Sequence, residues 1–594
     1  MTTVPDPTNP FSLAHGGGTA SAASYGTVML TALVRLHHAL QEVRLPLELP
    51  GVEEQRAGLR EMVDQLEDYV IPRVTTLEAP LLAVVGGSTG AGKSTLVNSL
   101  VGRKVTQPGL LRPTTRSPVL VHNPADAPWF GADRLLPDLE RVDHPTIDPA
   151  ALQLVASEAV PAGLAILDAF DVDSVVEENR ELAAQLLAAA DLWLFVTSAA
   201  RYADQVPWEF LRQAAERSTA VAIVLDRTPE EAVQTVATHL ARMLASRGLK
   251  DSPLFVVHEG PINDQELLPA EHVADIRGWL EALAGDVGAR QQVVIQTLDG
   301  AVRTLTRNTY PVADAAAEQV AVADRLRRDA AAAYDQGVAS VLAGMDDGSL
   351  LRGEVLARWQ EFVGTGELLK GLESRVGRIR DRLVNAAKGK PKQAERVTVA
   401  VESGLEMLVL EHAEASAERA EASWRQLAAG QGLLLDGGTE LGRASRELRR
   451  NAERSVREWQ ADVLEMVSTQ GQDKRTTARF LAFGVNGLSV ALMIVVFSYS
   501  YGLTGAEVGI AGGSAVLGQK LLEAVFGDQA VRSLAERARK SLEVRVRELF
   551  ATELARYTDL VDSLGLDPET PEQLRRASRR VEDARYAGQR RDMP

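Results

Sequence analysis

The chain has no cysteine among its 594 residues. That excludes disulfides and thiolate metal sites and fits a reducing compartment. Aromatic residues make up only 5% of it; long stretches rich in Ala, Glu and Arg take their place and favour helix. An excess of positive charge is also missing. Lys and Arg number 64 against 81 Asp and Glu, a net charge of −17. A chain this acidic repels phosphate backbones, so no nucleic acid is expected as a partner. The first residues, MTTVPDPTNPFSLAHGGGTASAASYG, lack the basic and apolar regions of a secretory signal. Their Pro, Gly and Ser content reads as a disordered tail over 1–26. Residues 480–503, FLAFGVNGLSVALMIVVFSYSYGL, lack every charged residue and histidine, although 24% of the chain is charged.

A chain of this length exceeds one core, so several domains are expected. Two amphipathic helices are predicted within 27–78, at 27–45 and 52–71, broken at PLELPG; Leu59, Val63, Leu66 and Val70 recur at helical spacing in the second. Short apolar runs follow at 81–85, 118–122, 163–168, 191–197, 220–226 and 253–257, with helical patterns at 178–190, 207–217 and 229–247. Apolar strands alternating with helices predict a mostly parallel sheet covered by helices on both faces, an α/β domain over 79–285. Strand signals then stop. Val294, Leu298, Val302 and Leu305 form one helical stripe, and Leu448, Ala452, Val456, Trp459, Val463 and Met466 form another close to a coiled-coil seam. The stretch 286–478 therefore reads as a long helical stalk or bundle, broken near GMDDGS, KGKPK and GQGLLLDGG.

The stretch GGSTGAGKST, 86–95, lies between the first strand and a helical pattern and fits GxxxxGK[ST], a phosphate loop (P-loop). Gly87, Ser88, Thr89, Gly90, Ala91, Gly92, Lys93, Ser94 and Thr95 are its candidate nucleotide-binding residues. Glycines let backbone wrap a phosphate, and the helix start aims N–H groups at it. Lys93 reaches the β- and γ-phosphates and Ser94 ligates Mg²⁺. Thr115, or else Thr114, precedes the second strand in LLRPTTRSPVLVH, where a nucleotide switch places its Mg²⁺-sensing hydroxyl. Asp168 closes the apolar strand GLAILD, where a carboxylate holds Mg²⁺ through water. Lys93, Thr115 and Asp168 are the candidate catalytic set, and Ser94, Thr115 and Asp168 the candidate metal set. Two places depart from the usual GTPase pattern. Asp171 stands where DxxG ends in Gly, and Asp226, Arg227, Thr228 and Pro229 replace [NT]KxD. The final carboxylate that pairs with guanine is absent, which leaves Asp226 to read the base and Arg227 to stack on it. Arg112 or Arg116 are candidates to neutralise transition-state charge, and SAARYADQVPW, 198–208, for a contact between nucleotide domains.

The block AVVGGSTGAGKSTLVNSLVGRKVTQPGLLRPTTRSPVLV resembles the dynamin superfamily of large GTPases, and among them the bacterial, actinobacterial-type members. The paired glycines, the VGR after the first helix and the Thr-Arg-x-Pro entry to the second strand carry the likeness, which covers 79–122 closely and the rest by layout. The resemblance implies GTP and Mg²⁺ as cofactors, nucleoside-triphosphate hydrolysis, self-association through nucleotide domains and stalk, and action on a lipid bilayer. Lys93, Ser94, Thr115 and Asp168 carry the phosphate and metal roles by the same resemblance.

A helix of ~20 residues crosses the ~30 Å bilayer core. Gly505, Gly509 and Gly513 form a small-residue face on a second apolar stretch. Lys474, Arg475 and Arg479 precede the first run; Lys520, Arg532, Arg537, Arg539 and Lys540 follow the second stretch, and the connecting turn has no basic residue. Basic flanks place both ends on the cytoplasmic face of the cell membrane. We expect a membrane hairpin over 479–527, with a single crossing or a buried helical pair as the alternatives. A returning helix and a basic tail follow over 528–594; the cluster LRRASRRVEDARYAGQRR reads either as a solvated, disordered end or as an attraction to anionic lipid. The function expected is a membrane-associated dynamin-like GTPase that tethers or remodels membranes; the rival is an Era-like regulatory or ribosome-associated GTPase with a membrane anchor.

Overall fold

The computed structural model describes residues 19–106, 117–131, 136, 139–146, 148–171, 177–216, 219–346, 354–363, 391–436, 440–469, 491–493, 495 and 528–591. The chain divides into two compact units. The first comprises residues 1–45, 51–317 and 567–594, and the second 46–50 and 318–566. The division falls inside the helix Val287–Asp346.

The first unit is built on an 8-stranded sheet of order β3-β4-β2-β5-β1-β6-β7-β8. The strands are β1 Leu81–Gly87, β2 Val119–His122, β3 Glu140–Val142, β4 Ala151–Ala156, β5 Leu164–Asp168, β6 Leu192–Ser198, β7 Ala220–Thr228 and β8 Leu254–His258. All pairings are parallel except β2 against β5. Each apolar run of the sequence became a strand, because a strand buried on both faces needs apolar side chains throughout. The strands β3 and β4 were not expected. Glu140–Val142 is exposed to half-buried edge chain, and Gln153 interrupts ALQLVA, whose last three residues are half-buried to exposed, so neither reads as a continuous apolar run. Helices Glu177–Ala188, Gln205–Glu216 and Val233–Ser246 stand where predicted.

At the N-terminus, helix α1, Thr19–Gln41, starts inside the stretch expected to be a tail. Its Met29, Leu33, Leu36 and Leu40 are buried at helical spacing. Helix α2, Val52–Gln65, continues through a single wide turn, Leu66–Val70, into α3, Ile71–Thr75. The basic C-terminal stretch is no irregular end. It is a helix, Thr570–Arg591, that packs along α1. Leu574, Ala577, Ser578, Val581 and Ala584 form its buried stripe, and Arg575 and Arg585 pair with Asp314 and Asp299 at 2.5 and 2.6 Å. Arginine density hid a helical stripe beneath it.

The second unit is helical among the described residues. Its helices include Pro391–Trp424, Ala428–Asp436, Leu448–Thr469 and Asp528–Asp562. The predicted seam holds: Leu448, Ala452, Val456, Trp459 and Val463 are buried in its core, and Trp459 Nε1 donates to the Ala538 carbonyl at 2.8 Å. GQGLLLD, expected as a break, is helical instead. The hairpin 479–527 lies almost wholly outside the described residues. The four that are described, Ala491, Leu492, Met493 and Val495, belong to the buried core of the second unit. No helix among the described residues is long and apolar enough to cross a membrane.

Candidate functional site

In parallel α/β sheets, ligands bind beyond the carboxyl ends of the central strands. Here β5, β1, β6 and β7 end side by side, with Val85 level with Asp168, Gly87 with Val196 and Ser198 with Asp226. The phosphate loop leaves β1 at this edge and enters helix α4, Lys93–Val101. Gly87 lies so close to the paired strand that a Cβ on it would stand 2.0 Å from the Val196 carbonyl oxygen, and its φ is +148°. Gly92 has φ +98°, and a Cβ there would meet Asp226 Oδ2 at 2.0 Å. These close approaches explain why the loop needs glycine at both positions.

Lys93 is buried. Its Nζ donates to the carbonyls of Gly87 and Ser88, both at 3.1 Å, and to the Asp171 carboxylate. The carbonyl bonds curl the side chain back over the loop and hold its charge there. Asp171 does not point away from the loop, as its place in the sequence would require for an undisturbed γ-phosphate contact; it takes the ammonium. Ser94 Oγ donates to Asp168 Oδ2 at 2.7 Å. Burial pushes the Asp168 carboxyl up to about 6, against the Ser94 hydroxyl and the Lys93 charge, which pull it down. Asp168 Oδ1 is buried with no hydrogen-bond partner, and so is the Ser88 hydroxyl. An orphaned carboxylate oxygen beside a hydroxyl is hard oxygen chemistry, and these two residues fit Mg²⁺. No cluster of three or more His, Asp or Glu occurs among the described residues; a Mg²⁺ that draws its other oxygens from phosphates and water needs none.

Sequence reasoning missed three residues here. Asn98 clamps the chain after α4: its Oδ1 accepts from Val105 N at 2.7 Å and Thr106 N at 2.9 Å, and its Nδ2 donates to Thr106 O at 3.0 Å. Thr106 is thereby buried beside Ser94 and Asp168. Arg201, within the stretch singled out for domain contact, donates to the Thr89 carbonyl at 2.6 Å and to Asp204 at 2.8 Å. It braces the outer limb of the loop. Each is a polar residue that no motif spacing marks. Asp226 lies near the end of β7 against Gly92, with Oδ1 buried and unpartnered; burial pushes its carboxyl up to about 6. Arg227 adopts φ +47° and is exposed beside it. Asp226 thus borders the phosphate loop itself. Thr115, Thr114, Arg112 and Arg116 lie outside the described residues.

A curated Arabidopsis thaliana protein, named "Probable transmembrane GTPase FZO-like, chloroplastic", is 22% identical over 210 residues. The chain resembles the dynamin superfamily. The match covers 32% of this chain and spans only 22% of the relative's length. No family model matches the chain. Among solved structures, an oligomerised bacterial dynamin pair described in long-range sensing and tethering of membranes aligns at 10% identity and TM-score 0.36, over 98% of this chain and 96% of that one. A bacterial dynamin GTPase from ETEC, LeoA, aligns at 11% identity and TM-score 0.23, over 96% of this chain and 98% of that one. At these TM-scores the likeness does not establish a shared fold. The dynamin-type resemblance rests on the phosphate-loop block and the partial match to the plant GTPase.

Proposed function

We propose that this chain is a dynamin-like GTPase that binds GTP with Mg²⁺, hydrolyses it, and couples that cycle to tethering or remodelling of a membrane. The observation that carries the proposal is the buried triad of Lys93, Ser94 and Asp168 at the meeting of β1, β5 and α4. Gly87, Gly90 and Gly92 would shape the loop around phosphates, Lys93 would balance their charge, and Ser94 and Asp168 are the residues that would hold Mg²⁺. When bound, Mg²⁺ would supply charge neutralisation on the transferred phosphoryl group. Asn98 and Arg201 keep the loop from relaxing. Thr115 supplies the switch hydroxyl, and Asp226 and Arg227 border the base side.

Support for membrane action is the charge-free run 480–503 and the membrane-associated kind of GTPase that the chain partly matches. The hairpin over 479–527 would enter lipid from the cytoplasmic face, and copies would associate through nucleotide domains and helices. Ala491, Leu492, Met493 and Val495 are core residues of the second unit. For the run to enter lipid they must leave that core, so the helical unit needs two states whose balance the nucleotide shifts.

The test is turnover by the purified chain with GTP and with ATP, with and without Mg²⁺ and liposomes, beside Lys93→Ala. Mg²⁺-dependent GTP hydrolysis lost in Lys93→Ala supports the proposal. Turnover indifferent to that substitution sinks it.

A further inference from the structure

Helix α1 and the helix Thr570–Arg591 enclose a groove of about 310 Å³, open to solvent. Arg35, His38, Ala39 and Glu42 line it from α1; Gln573, Arg576, Ala577 and Arg580 line it from the other helix. Each set repeats at intervals of three and four residues, which puts it on one helix face. The two alanines leave the depression that longer side chains would fill. Its volume equals about ten waters at ~30 Å³ each, enough for a small phosphate ester.

The charges around the groove are unbalanced. Glu42 is 3.5 Å from His38. Glu572 lies 3.4 Å from Arg576 and 3.9 Å from Arg579, so one carboxylate serves two arginines, while Arg575 is taken up by Asp314 at 2.5 Å. Arg35 and Arg580, one on each helix, have no acidic partner among the described residues and are exposed. This is local positive charge on a chain of net charge −17, fixed on two packed helices. A guanidinium is a planar fork matched to phosphate oxygens.

We propose that this groove binds a phosphate ester, held between Arg35 and Arg580 with His38 and Arg576 at its sides. Such a group comes either from the headgroup of an anionic lipid or from a small soluble ester. The site is separate from the phosphate loop, and its test needs no nucleotide.

The experiment compares the full chain with Arg35→Gln/Arg580→Gln and with Arg35→Lys/Arg580→Lys. One arm measures sedimentation with phosphatidylcholine vesicles with and without phosphatidylglycerol. The other titrates glycerol phosphate by calorimetry. Circular dichroism and thermal melting confirm that each variant folds, and the Lys pair preserves charge if the Gln pair does not fold. If lipid supplies the ester, the Gln pair loses the phosphatidylglycerol-dependent binding by about thirtyfold, at ~1 kcal/mol per arginine near an anionic surface. The Lys pair, keeping charge but not the fork, retains part of it. If a soluble ester is the ligand, glycerol phosphate binds the parent chain and is weakened in both variants, while vesicle binding stays the same. Wild-type binding of either probe that neither pair changes, or no binding of either probe by the parent chain, overturns the proposal. GTP turnover is expected to be the same in all three proteins, so failure here leaves the nucleotide-site reading standing on its own test.

Discussion

Lys93 and Asp171 form an ion pair within the first unit, each side chain 3% exposed. In the proposed nucleotide-bound state the same ammonium would also serve a phosphate, and the Asp171 carboxylate would compete for it.

Asp171→Asn therefore separates two effects. Breaking a buried pair costs about 3–5 kcal/mol, so the melting temperature without nucleotide falls. Phosphates restore the missing negative charge, and the rise in melting temperature on adding GTP is expected to exceed that of the parent chain. Thermal unfolding with and without GTP measures both. Equal rises in the two proteins would exclude the competition.

Gly87→Ala and Gly90→Ala distinguish a packing demand from a backbone one. A Cβ on Gly87 collides with the Val196 carbonyl, part of the adjoining strand, whereas a Cβ on Gly90 meets nothing within 4 Å and only its φ of +74° opposes the change. We expect Gly90→Ala to cost ~1–2 kcal/mol and Gly87→Ala more than ~4 kcal/mol, read from denaturant midpoints. A milder effect at Gly87 would mean that β1 and β6 separate more readily than their pairing implies.

Asp191 joins α3 to the sheet. It pairs with Arg73 at 2.8 Å, both side chains essentially fully buried, and also accepts from the Tyr69 hydroxyl at 3.0 Å and the Leu82 amide at 2.8 Å. Arg73→Met leaves the carboxylate without its cation. The expected loss is about 3–5 kcal/mol, measured by urea unfolding at neutral pH. Arg73→Met combined with Asp191→Asn is expected to recover part of it, because the uncompensated charge is gone.

Asp226 makes stability depend on pH. Its carboxyl is raised to about 6 by burial, above its ordinary value of 3.8. The native state then binds more protons than the unfolded chain across that window, so this residue's contribution declines as pH rises through it and the whole cost is present above about 6. Asp226→Asn removes the ionisation. The variant is expected to gain up to about 3 kcal/mol over the parent at neutral pH and nothing at the acid end. Unfolding curves across the pH range check this; a gain independent of pH would point to another cause.

Some features were legible without the structure because they are local. A strand buried on both faces must be apolar along its whole length, which exposed β1, β2, β5, β6 and β7; the half-buried edge strand β8 was legible because its run is apolar as well. The phosphate loop is contiguous, so Gly87, Gly92, Lys93 and Ser94 could be named from spacing. The seam from Leu448 to Met466 is one stripe on one helix. Where apolarity was diluted, the pattern failed: β3 is a short, partly polar edge strand, Gln153 interrupts β4 beside it, and the arginines of Thr570–Arg591 masked the stripe from Leu574 to Ala584.

By itself the sequence determined the six apolar strands, the helices between them, the Leu448–Met466 seam and the glycine spacing of the loop after β1, since periodicity and glycine spacing are properties of neighbouring residues. Tertiary structure alone decided what those segments meet. It set Asp171 on Lys93, Asp226 on Gly92 and Arg201 on Thr89, and it brought Arg35 and Arg580 to one groove from opposite ends of the chain. It also placed Ala491, Leu492, Met493 and Val495 of the charge-free run in a protein core. The physical reason is that charge pairing and burial depend on distance in space, which side-chain periodicity along a chain does not encode.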